Sequence, residues 1–230
     1  MIISHRHKFI FLKTRKTAST STELLLYRHC GPDDIVTPLT PSLLTRERGH
    51  RAQHHIRPLT FLDPRPAIHR WWPLEGFRFV DYHDHIHAAD VRRYVGETVW
   101  RGYYKFAFER NIYDRQVSWF HYRTKTAWRK WRWPDFRTFL RTSPEAHVDN
   151  HFIYMIDGEV AVDFIGRYET LGADLLQVMA TLGLAAGELP RAKTEDRPRD
   201  LGYRDYYDVE TRELVASWYP EEVRLFGHSF

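Results

Sequence analysis

The sequence predicts an α/β protein with a mainly parallel central sheet flanked by helices. Three segments support this fold class, because each runs from a short apolar stretch of strand-forming residues into a helical pattern. They begin at residues 8, 103 and 160, and the first two place polar and basic residues between strand and helix. At 230 residues and 43% hydrophobic composition, the chain is expected to form a single domain over residues 1–230.

The charge and cysteine content narrow the classes of function. The formal net charge is +4, a mild basic excess that suggests anionic ligands rather than a DNA-coating protein. Cys30 is the only cysteine, so an internal disulfide is excluded, which suits a reducing compartment. No apolar run approaches the roughly 20 residues that span a bilayer. The apolar run at residues 9–12 is too short for a signal peptide, so a cytoplasmic location is expected.

The first strand–helix unit spans residues 8–31. Phe9 to Leu12 are strand formers, and a basic, hydroxyl-rich stretch, residues 13–21, follows before the Leu-rich helical pattern. Thr20 and Glu23 have capping-box spacing, and Gly31 is a plausible C-terminal stop. The unpaired N–H groups of a helix N-terminus attract anions, and Lys16 adds a point charge. Alternatively, the hydroxyls only cap the helix.

The type of anion loop can be narrowed further. Residues 8–30 contain no glycine, whereas a Walker loop and a dinucleotide fingerprint both require several. Side-chain hydroxyls must therefore supply much of what glycine-rich backbone supplies in those loops. The same absence argues against a kinase built on this architecture.

A histidine-rich loop lies in the middle of the chain. Residues 77–80 suggest a short strand, and His83, His85 and His87 alternate directly after it. Three readings remain open from the residues: a zinc site, surface histidines, or a general base. A helix is predicted for residues 88–101, with Val91, Tyr94, Val95 and Val99 as its inward positions.

The second strand–helix unit covers residues 103–118. Tyr103 to Phe108 predict a buried strand with Arg110 at its end, and Asn111 or Asp114 can cap the helix that follows. Folding back in this way lets Arg110 and Ser118 converge on one phosphate. The alternative for Arg110 is a salt bridge at the end of the strand.

Two further segments carry basic and aromatic residues. Residues 32–75 form a proline-broken region that ends in Trp71 and Trp72, either a wall of an acceptor site or a solvated basic surface. Residues 121–141 combine three arginines and two lysines before residue 133 with Trp128, Trp131 and Trp133. This second segment fits an acceptor site or a helix with inward tryptophans, and single-stranded nucleic acid less well.

The last third of the chain predicts ordinary structural elements. Asp157-Gly158 marks a hairpin turn, residues 160–164 alternate as a strand, and residues 171–184 predict a helix. Residues 190–202 are rich in charge and proline and predict a loop, in which Lys193 and Arg197 are candidate ligand contacts. A helix over residues 210–219 follows.

Three motifs resemble those of the sulfotransferases that use 3′-phosphoadenosine 5′-phosphosulfate (PAPS). Lys16-Thr17-Ala18-Ser19-Thr20-Ser21 resembles their 5′-phosphosulfate loop, in the form found in heparan sulfate 2-O-sulfotransferases. Tyr82-His83-Asp84-His85 resembles the Tyr-His-x-His element of the same group. Arg110, Asn111, Arg115 and Ser118 match the motif that holds the 3′-phosphate. Arg15 and Ile112 stand where the family has prolines, so two fixed backbone angles are lost. Residues 164–169 resemble a further family element in which Arg167 and Glu169 organise the fold.

The resemblance implies a P-loop-like nucleotide-binding sulfotransferase fold and assigns roles. Residues 16–21 would hold the 5′-phosphosulfate, with Lys16 also catalytic, while Arg110 and Ser118 would hold the 3′-phosphate. His85 would be the general base and His83 an acceptor-site residue. PAPS would be the donor, with no metal. The expected partner is a hydroxyl-bearing acceptor, most simply a carbohydrate, and not nucleic acid. A non-catalytic nucleotide- or polyanion-binding module is the alternative.

Overall fold

The computed structural model describes residues 1–39, 50–58, 78–80, 82–190 and 201–230. The strands are β1 Ile2–Ser4, β2 Phe9–Phe11, β3 Ile35–Val36, β4 Ile56–Pro58, β5 Arg78–Val80, β6 Tyr104–Glu109, β7 Met155–Ile156, β8 Glu159–Val160 and β9 Phe164–Arg167. The α-helices are α1 Ser19–Tyr27, α2 Ala88–Gly102, α3 Ile112–Arg123, α4 Ala127–Arg132, α5 Phe136–Thr142, α6 His151–Tyr154, α7 Leu171–Thr181, α8 Val209–Trp218 and α9 Pro220–Phe226.

The central sheet has five strands in the order β3-β1-β2-β6-β9. Strands β2, β6 and β9 run parallel, whereas β1 is antiparallel to both β2 and β3. The α/β class with flanking helices is therefore confirmed, but the sheet is mixed. The reason is the short connection from β1 to β2, which permits only antiparallel pairing, whereas β2 and β6 are joined by a long crossover.

Alternate residues of the sheet feed two separate cores. On one face, Phe9, Phe11, Phe106 and Phe108 pack with side chains of α1 and α7. On the other face, Ile10 and Ala107 pack with side chains of α2 and α6. The buried β2 and β6 are apolar at nearly every position, as expected for strands covered on both sides. The predicted strands at residues 9–12 and 103–108 are confirmed to within one residue.

A third core lies beside the sheet and orders the end of β6. Helices α3, α5 and α8 contribute Val117, Phe139 and Val215, all fully buried. Arg115 of α3 is also fully buried and pairs with Glu109 at the end of β6 and Glu222 of α9. A buried charge requires such partners, so Arg115 ties this helical cluster to the sheet.

Helix α1 corrects two predictions. Its N-cap is Ala18, at φ 54°, with no side-chain cap, so the capping box of Thr20 and Glu23 is wrong. Glu23 turns inward and accepts a hydrogen bond from Lys13 Nζ at 2.5 Å. A buried lysine requires a carboxylate partner, and Glu23 fills that role instead of capping the helix. The helix ends at Tyr27, so Gly31 is not its stop.

Elsewhere the predicted elements hold with local changes. Helix α2 has the predicted bounds within one residue, but Gly96 interrupts it at φ 79°, and Trp100 rather than Val99 is the buried residue near its end. Asn111 caps α3 as predicted. The 157–158 hairpin is confirmed by the pairing of β7 with β8. The single strand predicted for residues 160–164 is wrong, because β8 ends at Val160 and β9 begins at Phe164.

Some predicted contacts fall outside the described residues. They are the tryptophans at the end of the proline-rich region and the two loop cations: Trp71, Trp72, Lys193 and Arg197. The described parts of the proline-rich region carry β3 and β4, and an isolated bridge pairs Val36 with Gln53.

Candidate active site

One cavity of about 690 Å³ lies where the parallel strands β2 and β6 end. It brings together residues from all three sequence motifs: Lys16, Ala18, Ser19, Thr20, Ser21, His85, Arg110 and Ser118. Ligands of open α/β sheets bind at the carboxyl ends of parallel strands. The position of the cavity therefore follows from the topology of the sheet.

The loop from Lys16 to Ala18 forms one wall of the cavity. Lys16 and Ala18 have left-handed backbones at φ 63° and 54°, although neither is a glycine. Within the described chain, the N–H groups of Ala18, Ser19 and Thr20 have no acceptor. Alternating left-handed residues at the start of a helix gather N–H groups into an anion-binding concavity. Non-glycine residues hold this shape only where the surrounding structure enforces it.

Buried side chains beneath the loop enforce that shape. Thr17 is fully buried, and its hydroxyl lies 2.8 Å from that of Thr14. The Thr14 hydroxyl in turn donates to the carbonyl oxygen of Phe108 in β6. The hydroxyl of Thr17 therefore supports the loop, and only its backbone amide remains for an anion.

Arg15 stands in the family's proline position and is fixed by Asn150. The Asn150 amide group accepts from Arg15 N at 2.8 Å and donates to Arg15 O at 3.1 Å. Two hydrogen bonds thus provide the rigidity that a proline ring would give. The guanidinium lines the cavity and donates to the Asp149 carbonyl at 2.7 Å. Burial lowers its pKa, and the nearby Asp149 carboxylate partly opposes this shift.

Arg110 connects the second motif to the loop. Its Nε and Nη2 donate to Asp114 at 2.8 and 2.7 Å, and its Nη1 donates to the carbonyl of Lys16 at 3.2 Å. The guanidinium carbon lies 4.0 Å from the centroid of the Tyr168 ring. These contacts hold the planar cation in one orientation at the cavity wall. Ser118 lies two turns after the cap of α3 and lines the same cavity.

His85 lies opposite the loop, with one ring nitrogen committed. Its Nδ1 is 2.7 Å from the carbonyl oxygen of Lys13. A carbonyl can only accept, so Nδ1 carries the proton and Nε2 is the free acceptor. Burial, with Arg15 nearby, lowers the pKa of His85 to about 3. The imidazole is therefore neutral at physiological pH and able to take a proton through Nε2.

A buried ion network positions the His85 loop. Lys13 Nζ bridges Glu23 of α1 and Asp84 at 2.5 and 2.7 Å, and Asp84 also accepts from Thr37 at 2.8 Å. The Met1 ammonium group lies 2.7 Å from Glu23. Burial opposes the charge on Asp84, but the Met1 ammonium and Lys13 outweigh it and hold the Asp84 pKa well below its usual value. Lys13 thus joins the anion loop's helix to the His85 loop.

Aromatic side chains complete the walls and were not identified as site residues from sequence. Trp119, Tyr122 and Tyr168 line the cavity, and Lys16 Nζ lies 4.7 Å from the centroid of the Tyr122 ring. The position of Tyr122, four residues after Ser118 and three after Trp119, offered a signal, since side chains at these spacings lie next to each other on a helix. Tyr168 lies inside the family-like Gly-Arg-Tyr-Glu stretch. There Glu169 accepts from Asn111 N at 2.8 Å, in keeping with an organising role.

Two of the alternating histidines lie away from the cavity lining. His83 is half-buried, with Nδ1 2.7 Å from the carbonyl oxygen of Asp84, and it does not line the cavity. His87 is exposed and stacks on Phe152. The three histidines therefore do not share one ligand position. Among the described residues, ligand atoms of Asp149, His151 and Glu222 do gather within 4.8 Å. Hydrogen bonds and ion pairs explain this group, since Asp149 pairs with His151 and Glu222 with Arg115.

The tryptophans of residues 121–141 differ in their exposure, so neither the inward-tryptophan interpretation nor the surface interpretation fits all of them. Trp133 is buried at 4% exposure and packs in the third core, as an inward tryptophan should. Trp128 and Trp131 are 58% and 85% exposed on α4.

Among the described residues, every helix is too short or too polar to cross a lipid bilayer.

Comparison with known proteins places the chain in a family. An uncharacterized protein of Archaeoglobus fulgidus is 34% identical over 97 residues, covering 41% of this chain and 79% of its own length. No solved structure gives a significant match. The model of the sulfotransferase family matches residues 1–229. This match spans the sheet, all the cavity residues named above and the third core, and the chain therefore belongs to the sulfotransferase family, whose enzymes transfer a sulfuryl group.

Proposed function

We propose that this chain is a PAPS-dependent sulfotransferase that sulfates a hydroxyl group, most simply of a carbohydrate. One observation carries the proposal: a single cavity joins the hydroxyl-rich anion loop, Arg110 with Ser118, and a histidine with a free Nε2. Residues 1–230 would act as one domain with a P-loop-like donor site.

The donor half of the cavity suits a nucleotide with two anionic ends. The unpaired N–H groups of Ala18 to Thr20, together with the Lys16 ammonium, would hold the 5′-phosphosulfate. Arg110 and Ser118 would hold the 3′-phosphate, since a planar guanidinium binds phosphate through two parallel hydrogen bonds. The Arg110–Lys16 hydrogen bond keeps these two subsites in a fixed relation.

His85 would act as the general base. Nε2 takes the acceptor proton as the acceptor oxygen forms a bond to sulfur, while the bond from sulfur to the phosphate oxygen of the donor breaks. The departing phosphate keeps the electron pair of that bond. Lys16 and the N-terminus of α1 stabilise the negative charge that develops there.

The acceptor half of the cavity favours an acceptor with an anionic group beside its hydroxyl. Lys13 is neutralised by Glu23 and Asp84. The Arg15 guanidinium donates to the backbone carbonyl of Asp149, and only the electrostatic attraction of the Asp149 carboxylate offsets its burial. A partly desolvated cation is stabilised further when a ligand supplies another anion. Trp119 and Tyr122 offer rings on which a sugar or the adenine can stack.

The donor assignment is tested by a thermal shift with 3′-phosphoadenosine 5′-phosphate, with AMP and ATP as comparisons. A ligand at about 100 times its Kd should raise the midpoint by roughly 5–10 °C for a chain of this size. The rise should be selective for the 3′,5′-bisphosphate. An equal rise with ATP, or none, would favour the polyanion-binding module instead.

The role of His85 is tested by the His85→Ala variant. Removal of the base should lower the transfer rate by about 10²–10⁴-fold. The affinity for 3′-phosphoadenosine 5′-phosphate should stay within about twofold of the wild-type value, which is roughly the error of an affinity measurement. His87→Ala is the matched control, because His87 is exposed outside the cavity. Normal turnover in His85→Ala would refute the assignment.

A further inference from the structure

A cationic aromatic surface extends from the rim of the cavity, and the proposed donor and base chemistry makes no use of it. It consists of side chains on and just before α4: Lys125, Trp128, Lys130, Trp131 and Arg132. Each of these five residues is exposed, and α4 contains no buried residue at all. A contiguous exposed apolar patch rimmed by polar residues marks a protein or membrane interaction site. We call it the tryptophan surface.

The two indoles project from the protein. Trp128 and Trp131 are three residues apart on one helix and therefore lie on the same side of it. Trp131 is 85% exposed, whereas Trp128 is 58% exposed and the Arg129 guanidinium carbon lies 5.1 Å from the centroid of its ring. A platform that stacks a sugar or a base has one face packed on the protein beneath it. A projecting indole instead suits insertion between lipid headgroups, where Trp is enriched in membrane proteins.

The charge around the indoles has one sign. Residues 115–134 contain no Asp or Glu. Arg123 and Arg129 both bind Glu145. The side chains of Lys130 and Arg132 on α4 are exposed. This pattern is complementary to an anionic bilayer surface, which attracts each nearby cation.

We propose that the tryptophan surface docks the enzyme on an anionic lipid bilayer. The indoles enter the interfacial layer, and the cations bind the lipid headgroups, two signals that together give stable peripheral binding. The surface adjoins the cavity, because Lys125 and Lys16 both lie over the ring of Tyr122. Docking would thus bring the cavity mouth beside the headgroup layer. The inference does not depend on the identity of the donor.

The test is co-sedimentation with vesicles of phosphatidylcholine alone or mixed with phosphatidylglycerol. The wild type should bind the mixed vesicles and not the neutral ones. The double variant Trp128→Ala/Trp131→Ala should bind at least about tenfold more weakly. Lys125→Gln and Lys130→Gln should each weaken binding about fivefold. Leu176→Ala is the control, since Leu176 is 52% exposed on a different helix, and it should bind as the wild type does.

Insertion itself has a separate readout. Brominated lipids should quench part of the tryptophan fluorescence of the wild type, and Trp131→Phe should remove much of that quenching. Failure of the wild type to bind anionic vesicles at low salt would overturn the proposal. So would equal binding by the double variant with an unchanged unfolding midpoint. Tryptophan-dependent binding to heparin without vesicle binding would assign the surface to a soluble acidic polymer and also overturn it.

Discussion

At the scale of single residues, the chemistry of the candidate site depends on which nitrogen of His85 carries the proton. The left-handed backbone of His85, at φ 63°, turns Nδ1 toward the carbonyl of Lys13. Because that carbonyl must accept, the tautomer is set by the fold and not by the substrate. A histidine at this position is therefore prepared as a base before any ligand binds.

The first prediction concerns the protonation of His85. Its pKa of about 3 lies far below the ordinary histidine value, because burial and Arg15 disfavour the imidazolium. The neutral Nδ1–H form should therefore persist across about pH 5 to pH 8, where ordinary histidines titrate. Nitrogen-detected NMR of the side chains gives both tautomer and charge, and the resonance missing in His85→Gln identifies the residue.

The same spectra provide a second comparison. Negative charge placed near an imidazole favours its protonated form. Bound 3′-phosphoadenosine 5′-phosphate should therefore raise the pKa of His85 above its free value. A midpoint close to about 6.5 in the free protein, the unperturbed value, would contradict the buried neutral base. An Nε2–H tautomer would contradict the hydrogen bond to Lys13.

At the scale of elements, the ion network between β2, α1 and the His85 loop holds two walls of the cavity together. Glu23 is fully buried and contacts both Lys13 and the Met1 ammonium group. Glu23→Gln leaves the two buried cations to share the single carboxylate of Asp84, which costs about 3 kcal/mol for a buried pair that loses one partner. The free energy of unfolding, measured with urea, should fall by about this amount.

A matched control for Glu23→Gln is Glu97→Gln. Glu97 also pairs with two cations, Arg92 and Arg101, but all three side chains are exposed on α2. Solvent screens such pairs, so the unfolding curve of Glu97→Gln should overlay that of the wild type. If both variants lost the same free energy of unfolding, burial would not decide how much this network contributes to stability.

Packing between β9 and β6 gives the third prediction. A Cβ at Gly166 would lie 2.6 Å from Cδ1 of the buried Phe108 ring, so Gly166→Ala forces the ring to move. Such overpacking should lower the free energy of unfolding by about 1–3 kcal/mol. In Gly172→Ala, where nothing lies within 4 Å of the added Cβ, the better helix former should not destabilise the protein. An unchanged free energy of unfolding in Gly166→Ala would mean that β6 and β9 separate easily at this position.

At the scale of the whole molecule, what the sequence could predict depended on how far apart the interacting residues are. The Asn111 cap and the 157–158 turn are local, and both formed as predicted. The pairing of Glu23 with Lys13 and the clamp of Asn150 on Arg15 join distant segments, and no local pattern identifies them. Tertiary packing likewise determines the exposure of the tryptophans, because it buries Trp133 and leaves Trp131 exposed.

The candidate site was partly readable because its motifs are compact. Residues 16–21, His85 and Arg110 with Ser118 each lie in a short segment, and the topology brings those segments to one cavity. The aromatic walls of the cavity and the role of Lys13 could not be predicted from such short motifs. They depend on which faces of the elements the packing turns toward the cavity.

The final prediction uses the ligand to separate the two phosphate subsites of this cavity. If Arg110 binds the 3′-phosphate, Arg110→Ala should weaken binding of 3′-phosphoadenosine 5′-phosphate by about 10- to 100-fold, the worth of a charge-assisted hydrogen-bonded contact. AMP lacks that phosphate, so its affinity should change by less than about threefold. Isothermal titration calorimetry measures both. Arg123→Ala is the control, because Arg123 lines the same cavity outside the motif and should leave the ratio of the two affinities unchanged.

The AMP measurement also separates direct binding from damage to the loop. Arg110 supports the carbonyl of Lys16, so its removal can loosen the 5′ subsite as well. A loosened loop would weaken both nucleotides in parallel, whereas loss of the 3′-phosphate contact weakens only the bisphosphate. Arg110→Lys keeps the charge but not the planar fork, and should recover only part of the discrimination. Parallel losses in Arg110→Ala would assign Arg110 to the support of the loop and leave the 3′-phosphate to other cations of the cavity.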